Sequence, residues 1–508
     1  MPSEDNKRIA TNTIFLYMRM FLTIIVNLYT FRIIWQVLGV DDYGIYNVVG
    51  GIVMMFSFLN TAMIVSSQRF ISFELGRNNK DQLNKVFSIC VTVHSLLAIV
   101  VFVLAETAGL WFLNNKLNIP EGRMLAANWV YQCSIIAFII TIISVPYNSC
   151  IVAHEHMKVY GYLGILDVIL KLITVFLLIF IPFDKLITYS ILVLIVSVLM
   201  RIIYQIYCKQ HFDECKIRKV HDSKLMKDMF SFSGWSFVGS LGYSLKDQGI
   251  NILLNIFFSV AINAARGIAN QIGTTINGLA SNFQMAINPQ ITKRYAANDL
   301  NGMIKLVFLG CRFSVLLMAI ITTPLIIAAE EILILWLGNC TEYTIGFLQL
   351  TLCLVLIESI INPITTAIQA TGHIRNFQII ISIIMLLNLP ISWLLLRFDA
   401  NPYIVLFVAI TISILGIMVR LRLLHGLILF SYKKFITEVF IRIIPVVFFS
   451  FVISICIYRF IPKNIGFLIL FVAASVFFTI LLIFCIGINK TERQAILKVL
   501  RQRFFKPQ

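Results

Sequence analysis

Long apolar stretches, separated by short polar loops, recur along the whole chain. A helix needs roughly 20 apolar residues to cross the hydrocarbon core of a bilayer. By that measure the pattern predicts fourteen membrane-spanning helices, at about residues 14–38, 44–68, 87–113, 124–152, 161–182, 186–207, 229–258, 262–290, 304–329, 345–370, 374–396, 402–424, 437–459 and 464–488. The predicted fold class is therefore an all-α integral membrane protein.

Composition supports this prediction. The chain has 508 residues, of which 59% are hydrophobic and only 13% charged, whereas soluble domains carry about 25% charged residues. So much apolar surface cannot fit inside one soluble core, and much of it must face lipid. The first apolar stretch follows Lys7 and Arg8, is too long for a signal peptide and has no small-residue cleavage site after it. We expect it to be retained as the first span.

The net charge of +17 would suit a nucleic-acid partner, but its distribution argues against one. With the N-terminus inside and the spans alternating, the inner segments hold 29 of the 41 Lys and Arg residues and the outer segments hold 6. This asymmetry follows the positive-inside rule. It predicts that both termini are cytoplasmic and that the basic excess reflects topology and attraction to anionic lipid, with no nucleic acid involved.

The longest inner loop lies after the sixth span and predicts a division into two six-span halves. We expect an N-terminal lobe at 1–207, a cytoplasmic connector at 208–228, a C-terminal lobe at 229–424, two extra spans within 425–488 and a basic tail at 489–508. A weak internal repeat supports the division, because a polar, basic helix end precedes a Lys and an apolar run after both the second and the eighth span. The tail fits either an amphipathic helix on the inner surface or a solvated segment.

The ten cysteines mostly occur singly inside apolar segments and are interpreted as small hydrophobic residues, with disulfides not expected. One loop contains Cys208, His211, Cys215 and His221, but this spacing fits no standard zinc pattern. The sequence therefore predicts no metal and no cofactor.

Ten charged residues fall within the predicted spans. Each would cost roughly 2.5–3.5 kcal/mol if it faced lipid at mid-depth. Most of them must therefore face protein, water or headgroups. They are Arg19, Arg32, Lys171, Lys246, Arg266, Arg312, Glu106, Asp167, Asp247 and Glu358.

Four spans align their polar residues on one helical face, at 100° per residue. Span one aligns Arg19, Thr23, Asn27 and Thr30. Span seven aligns Ser233, Ser236, Ser240, Ser244, Asp247 and Asn251. Span eight aligns Asn263, Arg266, Asn270, Thr274, Asn277, Ser281, Gln284 and Asn288. Span ten aligns Thr351, Glu358, Asn362, Thr365 and Gln369. Such rows fit hydrogen bonding between packed helices or a water-filled substrate path, and their length favours the path.

The residue types in these rows suit an anionic, hydroxyl-rich substrate. An Arg in a partly desolvated site binds phosphate through its planar fork, and Asn and Ser side chains suit sugar hydroxyls. The predicted substrate-binding residues are Arg19, Asn27, Ser240, Ser244, Asp247, Asn251, Arg266, Asn270, Thr274 and Asn277.

The remaining embedded charges have several interpretations. Glu358 and Asp247 are candidates for coupling to an ion, Na⁺ or H⁺, although a buried structural hydrogen bond fits Glu358 equally well. Asp167 and Lys171 are spaced i, i+4 and form either a structural pair or secondary cavity charges. Lys246 points about 100° away from its helix's polar row. Two residues near span ends, Arg312 and Glu106, are expected to reach the membrane surface, while Arg32 lies opposite Arg19.

Three motifs resemble a known family. They are Leu38-Gly39-Val40-Asp41-Asp42-Tyr43-Gly44-Ile45-Tyr46 after the first span, Gln68-Arg69-Phe70 with Glu74-Leu75-Gly76 at the end of the second, and Ala264-Ala265-Arg266-Gly267-Ile268-Ala269-Asn270-Gln271 opening the eighth. They are similar to segments of bacterial polysaccharide flippases, and the resemblance covers nearly the whole chain. The last two spans and the tail match only in hydropathy.

This resemblance implies a member of the multidrug/oligosaccharidyl-lipid/polysaccharide (MOP, MATE-like) exporter superfamily. Such proteins have two six-helix lobes in a V around a central cavity and work by alternating access. The implied function is to flip an undecaprenyl-pyrophosphate-linked oligosaccharide from the inner to the outer leaflet of the bacterial inner membrane, for O-antigen, capsule or exopolysaccharide assembly. Arg19 and Arg266 occupy the kinds of position that serve the pyrophosphate there, and a polymerase and a chain-length protein are implied partners.

Two other functions are possible in principle. A MATE-type drug or cation antiporter would need an acidic, aromatic cavity, whereas the embedded charges are six basic and four acidic. A membrane glycan polymerase or glycosyltransferase would resemble proteins with long outer loops. Asp41 and Asp42 lie in a short outer loop and are interpreted as turn and helix-start residues. We therefore expect a transporter and not an enzyme.

Overall fold

All regular secondary structure in the described residues is helical. The computed structural model describes residues 15–26, 57–116, 122–218, 222–258, 260–337, 342–460 and 465–489, together with 119, 462, 492–494 and isolated positions between 29 and 53.

The helices follow one another with short connections. The first eight are α1 Phe15–Val26, α2 Ser57–Arg77, α3 Lys80–Leu104, α4 Leu110–Lys116, α5 Met124–Ala153, α6 Met157–Phe180, α7 Lys185–His211 and α8 Ser223–Phe257. The next six are α9 Val260–Ala296, α10 Leu300–Ile327, α11 Ala329–Leu337, α12 Glu342–Glu358, α13 Ile361–Thr371 and α14 Arg375–Leu386. The last five are α15 Asn388–Arg397, α16 Ile404–Leu427, α17 Tyr432–Phe435, α18 Ile441–Phe460 and α19 Ile465–Leu482. Single π-helical turns lie at Ala105–Gly109, Ile436–Phe440 and Ile483–Gly487, and a 3₁₀ turn lies at Asp213–Cys215.

The fold class predicted from the sequence is confirmed. Each of the fourteen predicted spans overlaps a helix in the described residues. Within the described ranges, ten helical stretches are long and apolar enough to cross a membrane. Helices α8 and α9 are also long enough, but their sequences are too polar to belong with those ten. Helices α8 and α9 therefore have faces that do not meet lipid.

The chain divides into two compact units. The N-terminal unit comprises residues 10–241 with 295–297, and the C-terminal unit comprises 1–9, 242–294 and 298–508. The domain boundaries proposed in the sequence analysis stay a prediction.

In the N-terminal unit, α5 packs against α2, α3 and α7. Its buried aliphatic side chains surround Tyr131, whose hydroxyl donates a hydrogen bond to the carbonyl of Ala105 at 2.7 Å. That carbonyl begins the π-helical turn after α3, so the buried hydroxyl has a partner where the helix is irregular.

In the C-terminal unit, α10 packs against α12, α13, α18 and α19. The last two predicted spans therefore pack within this unit. In the same unit, helix α16 packs against α12, α13, α14 and α15.

Proline divides the tenth predicted span into α12 and α13. Pro363 has no N–H, so the carbonyl four residues earlier, on Ser359, loses its helical partner. The side chain of Gln284 on α9 donates to that carbonyl at 2.9 Å. The thiol of Cys311 donates to the next carbonyl, on Ile360, at 3.3 Å. The break thus fixes α9 and α10 against α12 and α13.

Candidate functional site

The described residues of α9 that are exposed are all polar or glycine. Every exposed residue described between Ile262 and Ala296 is of this kind: Gly267, Gln271, Thr274, Thr275, Asn277 and Ser281. A helix face that met lipid would expose apolar side chains instead. This face, with the half-buried Asn270 beside it, must therefore meet water or a polar ligand.

The far end of the same polar row holds helices together. The buried Gln284 donates to the Ser314 hydroxyl at 3.1 Å as well as to the Ser359 carbonyl, and it accepts from the Asn362 amide at 2.8 Å. The row thus bonds neighbouring helices at Gln284 and leaves an exposed polar face from Asn270 to Ser281, and a substrate path along that face stays a prediction. The side chain of Asn263 lies outside the described residues.

Arg266 lies at the start of α9, is only 2% exposed, and is held by two groups of α8. Its NH2 donates to the Asp247 carboxylate at 2.7 Å, and its NH1 donates to the Asn251 amide oxygen. Its Nε has no hydrogen-bond partner. Three predicted substrate-binding residues therefore do come together, but the Arg266 charge is already neutralised by Asp247.

The neighbouring residue of α8 forms a second ion pair. The ammonium of Lys246, one residue before Asp247, is 3.8 Å from the Glu358 carboxylate, and their side chains are 8% and 22% exposed. Ser413 on α16 donates to the same carboxylate at 2.8 Å. Glu358 thus accepts a hydrogen bond that is partly buried, and its role in ion coupling stays a prediction.

One functional candidate was missed. Arg420 is absent from the ten charges predicted to lie within spans, but it lies inside α16 and is buried, close enough to Glu358 for the carboxylate charge to act on it. A signal existed, because Ser413, Gly416 and Arg420 fall on one face of α16.

Two residues of span seven, Ser240 and Ser244, are half-buried on α8. An earlier member of the row, Ser233, donates to the Ser66 hydroxyl at 2.9 Å, which joins α8 to α2 within the N-terminal unit. This row therefore also contributes to helix packing.

In the N-terminal unit, Arg19 of α1 lies against α6. Its guanidinium stacks over the Tyr160 ring, 4.5 Å from the centroid. Its side chain also fills the space above Gly164, where a Cβ would lie 2.5 Å from the Arg19 Cδ. Among the described residues no carboxylate lies within ion-pair distance of this half-buried cation. Asn27, from the same predicted row, lies outside the described residues, as does Arg32.

Farther along the same face of α6, Lys171 and Asp167 form an ion pair at 2.8 Å. The predicted i, i+4 pairing is confirmed. Tyr160, Gly164, Asp167 and Lys171 recur at intervals of four and three residues, so one face of α6 carries them all. Together with Arg19, this face has an excess of one positive charge.

The expectation that Arg312 reaches the membrane surface is wrong. It is buried on α10, where its NH2 donates to the Glu492 carboxylate and its NH1 donates to the Glu438 carbonyl at 3.2 Å. Glu106 is half-buried and accepts a hydrogen bond from Gln132 at 3.2 Å. Both residues thus bond inside the protein, although the Arg312 Nε and the Glu106 Oε1 have no hydrogen-bond partner among the described residues.

At the predicted outer surface, Arg123 joins three segments. It donates to Asp42 at 2.9 Å and also pairs with Asp184. Burial raises the pKa of Asp184, but the hydrogen bonds from Arg123, Ile187 N and Leu186 N outweigh it and hold that pKa below its ordinary value. Asp42 therefore ties loops together.

Comparisons with known proteins agree with this architecture. A family model described as polysaccharide biosynthesis protein matches residues 9–295. The uncharacterized membrane protein EpsK of Bacillus subtilis (strain 168) is 19% identical over 319 residues, which are 62% of this chain and 63% of that protein. The chain thus spans less than two thirds of this relative's length.

Two solved structures share the fold. The outward-facing conformation of a multidrug resistance MATE family transporter of the MOP superfamily has a TM-score of 0.73 at 12% identity, covering 84% of this chain and 97% of that one. A MOP superfamily transporter from Pyrococcus furiosus Vc1 (DSM3638) has a TM-score of 0.71 at 12% identity, covering 83% and 96%. At such identities the likeness shows the fold alone, which is MATE-like and all-α.

Proposed function

Because the chain belongs to the family of polysaccharide biosynthesis proteins and has a MATE-like fold, we propose that this MOP-type exporter flips an undecaprenyl-pyrophosphate-linked oligosaccharide. The substrate would move from the inner to the outer leaflet of a bacterial inner membrane by alternating access, and no bond of the glycan would be made or broken. The delivered glycan would be used by a polymerase and a chain-length protein.

The observation that carries this proposal is the open charge of Arg19. A cation within a membrane-spanning helix is costly without a counter-charge, and Arg19 has none among the described carboxylates. Stacking on Tyr160 covers the face of the guanidinium and leaves its N–H edge for a ligand. That edge matches two oxygens of a phosphate. Arg266, paired with Asp247, is less suited to this task.

The position of Arg19 along the helices supports loading from the inner leaflet. Its contacts, Tyr160 and Gly164, lie in the first two or so turns of α6, which begins at Met157. The distribution of basic residues predicts that this end of α6 lies at the cytoplasmic surface. A pyrophosphate headgroup of the inner leaflet is found at this depth.

The sugar needs many hydrogen bonds of modest strength, and the open face of α9 supplies them. Asn270, Thr274 and Asn277 present an amide, a hydroxyl and a second amide along about two turns. In our proposal the glycan contacts this face during the cycle, while the polyprenyl chain stays in lipid.

The rival proposal, a drug or cation antiporter, needs an open carboxylate. Asp247 instead accepts from Arg266, and Glu358 faces Lys246. We propose that a coupling ion, H⁺ or Na⁺, acts at Glu358 or Asp247 by competing with these cations.

The test is export in cells that lack their own flippase and depend on this chain. We expect Arg19→Ala to abolish surface glycan and to accumulate the lipid-linked precursor, and Arg19→Lys to restore part of the export, because Lys keeps the charge but loses the fork. Arg397→Ala is the matched control, since Arg397 lies exposed at the end of α15. Normal export by Arg19→Ala at equal membrane level would contradict the proposal.

A further inference from the structure

Three thiol groups, an imidazole and a carboxylate meet where α5 ends and the connector after α7 begins. Cys150 lies in the last turn of α5, and His154 follows that helix directly. Glu214 and Cys215 lie on the 3₁₀ turn after α7, and Cys208 lies near the end of α7. The sequence suggested only the connector half of this cluster. His211 instead contacts the Tyr207 carbonyl at 3.0 Å, and His221 lies outside the described residues.

The donor atoms of three residues, Cys150, His154 and Glu214, are close together, and the sulfur of Cys215 lies beside that of Cys150. The Sγ atoms of Cys150 and Cys215 are 3.6 Å apart, and the Cys150 Sγ is 3.5 Å from a Glu214 carboxylate oxygen. The His154 Nε2 contacts that same oxygen. The ligand atoms of Cys150, His154 and Glu214 all lie within 4.8 Å of one another.

The separation of the two sulfurs matches a tetrahedral metal ion, and the His154 and Glu214 donor atoms would have to move apart to bind the same ion. With Zn–S bonds of about 2.3 Å, two thiolates of a tetrahedron are separated by about 3.8 Å. The Cys150–Cys215 separation of 3.6 Å is close to that value. Two sulfurs, one imidazole nitrogen and one carboxylate oxygen also form a complete ligand set of the kind zinc takes.

The surroundings hold the ligands in place. The Asn84 side chain donates to the carbonyls of Glu214 and Lys216, both at 3.0 Å, which fixes the connector against α3. The His154 ring stacks on Phe212 with centroids 4.2 Å apart. Such outer contacts orient metal ligands before an ion arrives.

An ion also has a route to this place. His154 and Glu214 line a cleft of about 420 Å³ in the N-terminal unit, whose other residues include Lys80, His156 and Arg218. Cys150 and Cys215 are buried behind it. A site of this kind, with sulfur ligands buried and its oxygen and nitrogen ligands at an opening, fills from the cleft side.

We propose that Cys150, His154, Glu214 and Cys215 bind one Zn²⁺ ion, which clamps the connector to the end of α5. Binding converts both thiols to thiolates and releases two protons. The alternative, a Cys150–Cys215 disulfide, is disfavoured because this end of α5 lies on the predicted cytoplasmic side, where thiols stay reduced.

The test is the metal content of the full chain, purified in detergent from cells grown with zinc. We expect about one zinc per chain by inductively coupled plasma mass spectrometry, and background levels in Cys150→Ser and Cys215→Ser. The control is Cys311→Ser, which changes a buried thiol of the C-terminal unit that donates to a backbone carbonyl. This variant should keep its zinc.

A spectroscopic measurement keeps the proposal testable if a serine variant fails to fold. After chelation, the wild-type chain titrated with Co²⁺ should develop thiolate charge-transfer absorption and the intense visible bands of tetrahedral cobalt. His154→Ala, which keeps both thiols, should bind Co²⁺ at least about tenfold more weakly. No zinc and no such bands in the wild type, unchanged zinc in Cys150→Ser, or a Cys150–Cys215 disulfide in a non-reducing peptide map would each overturn the proposal.

Discussion

Replacing Gly164 by alanine should weaken pyrophosphate binding although the new methyl group carries no charge. A Cβ at Gly164 would lie 2.5 Å from the Arg19 Cδ and 3.2 Å from its Nε and NH1, whereas ordinary Cβ contacts begin at 3.4 Å. The Arg19 side chain must therefore move by about 1 Å, the difference between an ordinary contact and this one. Its stacking on Tyr160 and its hydrogen bonds to a phosphate would then be lost together.

The expected loss of affinity follows from the hydrogen bond between Arg19 and the phosphate that is lost. A hydrogen bond to a charged group contributes about 1.5–3 kcal/mol, which is roughly a ten- to hundredfold loss of affinity. We propose to measure the affinity of the purified chain for undecaprenyl pyrophosphate by native mass spectrometry. Stability should not fall, because alanine favours a helix over glycine by roughly 0.5–1 kcal/mol.

Gly161 is the matched control. It is one turn away on the same helix, and a Cβ there would meet the Phe15 backbone oxygen at 3.6 Å and the Phe15 Cβ at 4.0 Å, both ordinary contacts. Gly161→Ala should therefore bind like the wild type. The reasoning is refuted if the two alanine variants bind equally well, or if Gly164→Ala lowers affinity further when Arg19 is already alanine.

Other predictions concern stability, each measured by thermal unfolding of the purified chain. Glu358→Gln leaves the buried Lys246 without its carboxylate and should cost about 2 kcal/mol; adding Lys246→Met should restore most of the loss, and no rescue would contradict the pairing. The folded-state pKa of Asp184 is lowered, so the stabilisation that its carboxylate gives the fold is present at neutral pH and is lost as the pH falls below about 4. Asp184→Asn should remove this part of the pH dependence, and an unchanged profile would exclude the Asp184–Arg123 pair as its cause. Asp299 caps α10, and Asp299→Ala should cost about 1 kcal/mol, whereas an unchanged midpoint would show that the cap contributes nothing.

The spans were predictable because their signal is local. Twenty or so apolar residues in a row define a membrane helix whatever packs beside them, and all fourteen stretches overlap helices in the described residues. The helical repeat also showed which residues of α9 share a face, and the Asp167–Lys171 pair followed from its spacing alone.

The partners of those faces could not be predicted. Periodicity gives the direction of a side chain but not the helix it meets, and Lys246 finds Glu358 more than a hundred residues away. For Arg312 the partner is Glu492, separated by 180 positions. The cysteine cluster was missed for the same reason, because Cys150 and Cys215 come from two separate segments.

The break after Glu358 also changes how charge is balanced inside the C-terminal unit. Where α12 ends, its last carbonyls carry about half a negative elementary charge, so a carboxylate at that end is placed next to charge of its own sign. Two buried cations, Lys246 and Arg420, are close enough to respond to it. Together the two cations offset the partial negative charge of the α12 carbonyls as well as the charge of the Glu358 carboxylate. This explains why one acidic group has two basic neighbours. Straightening this span by replacing Pro363 would therefore change the electrostatics of the unit without altering a single ionisable residue.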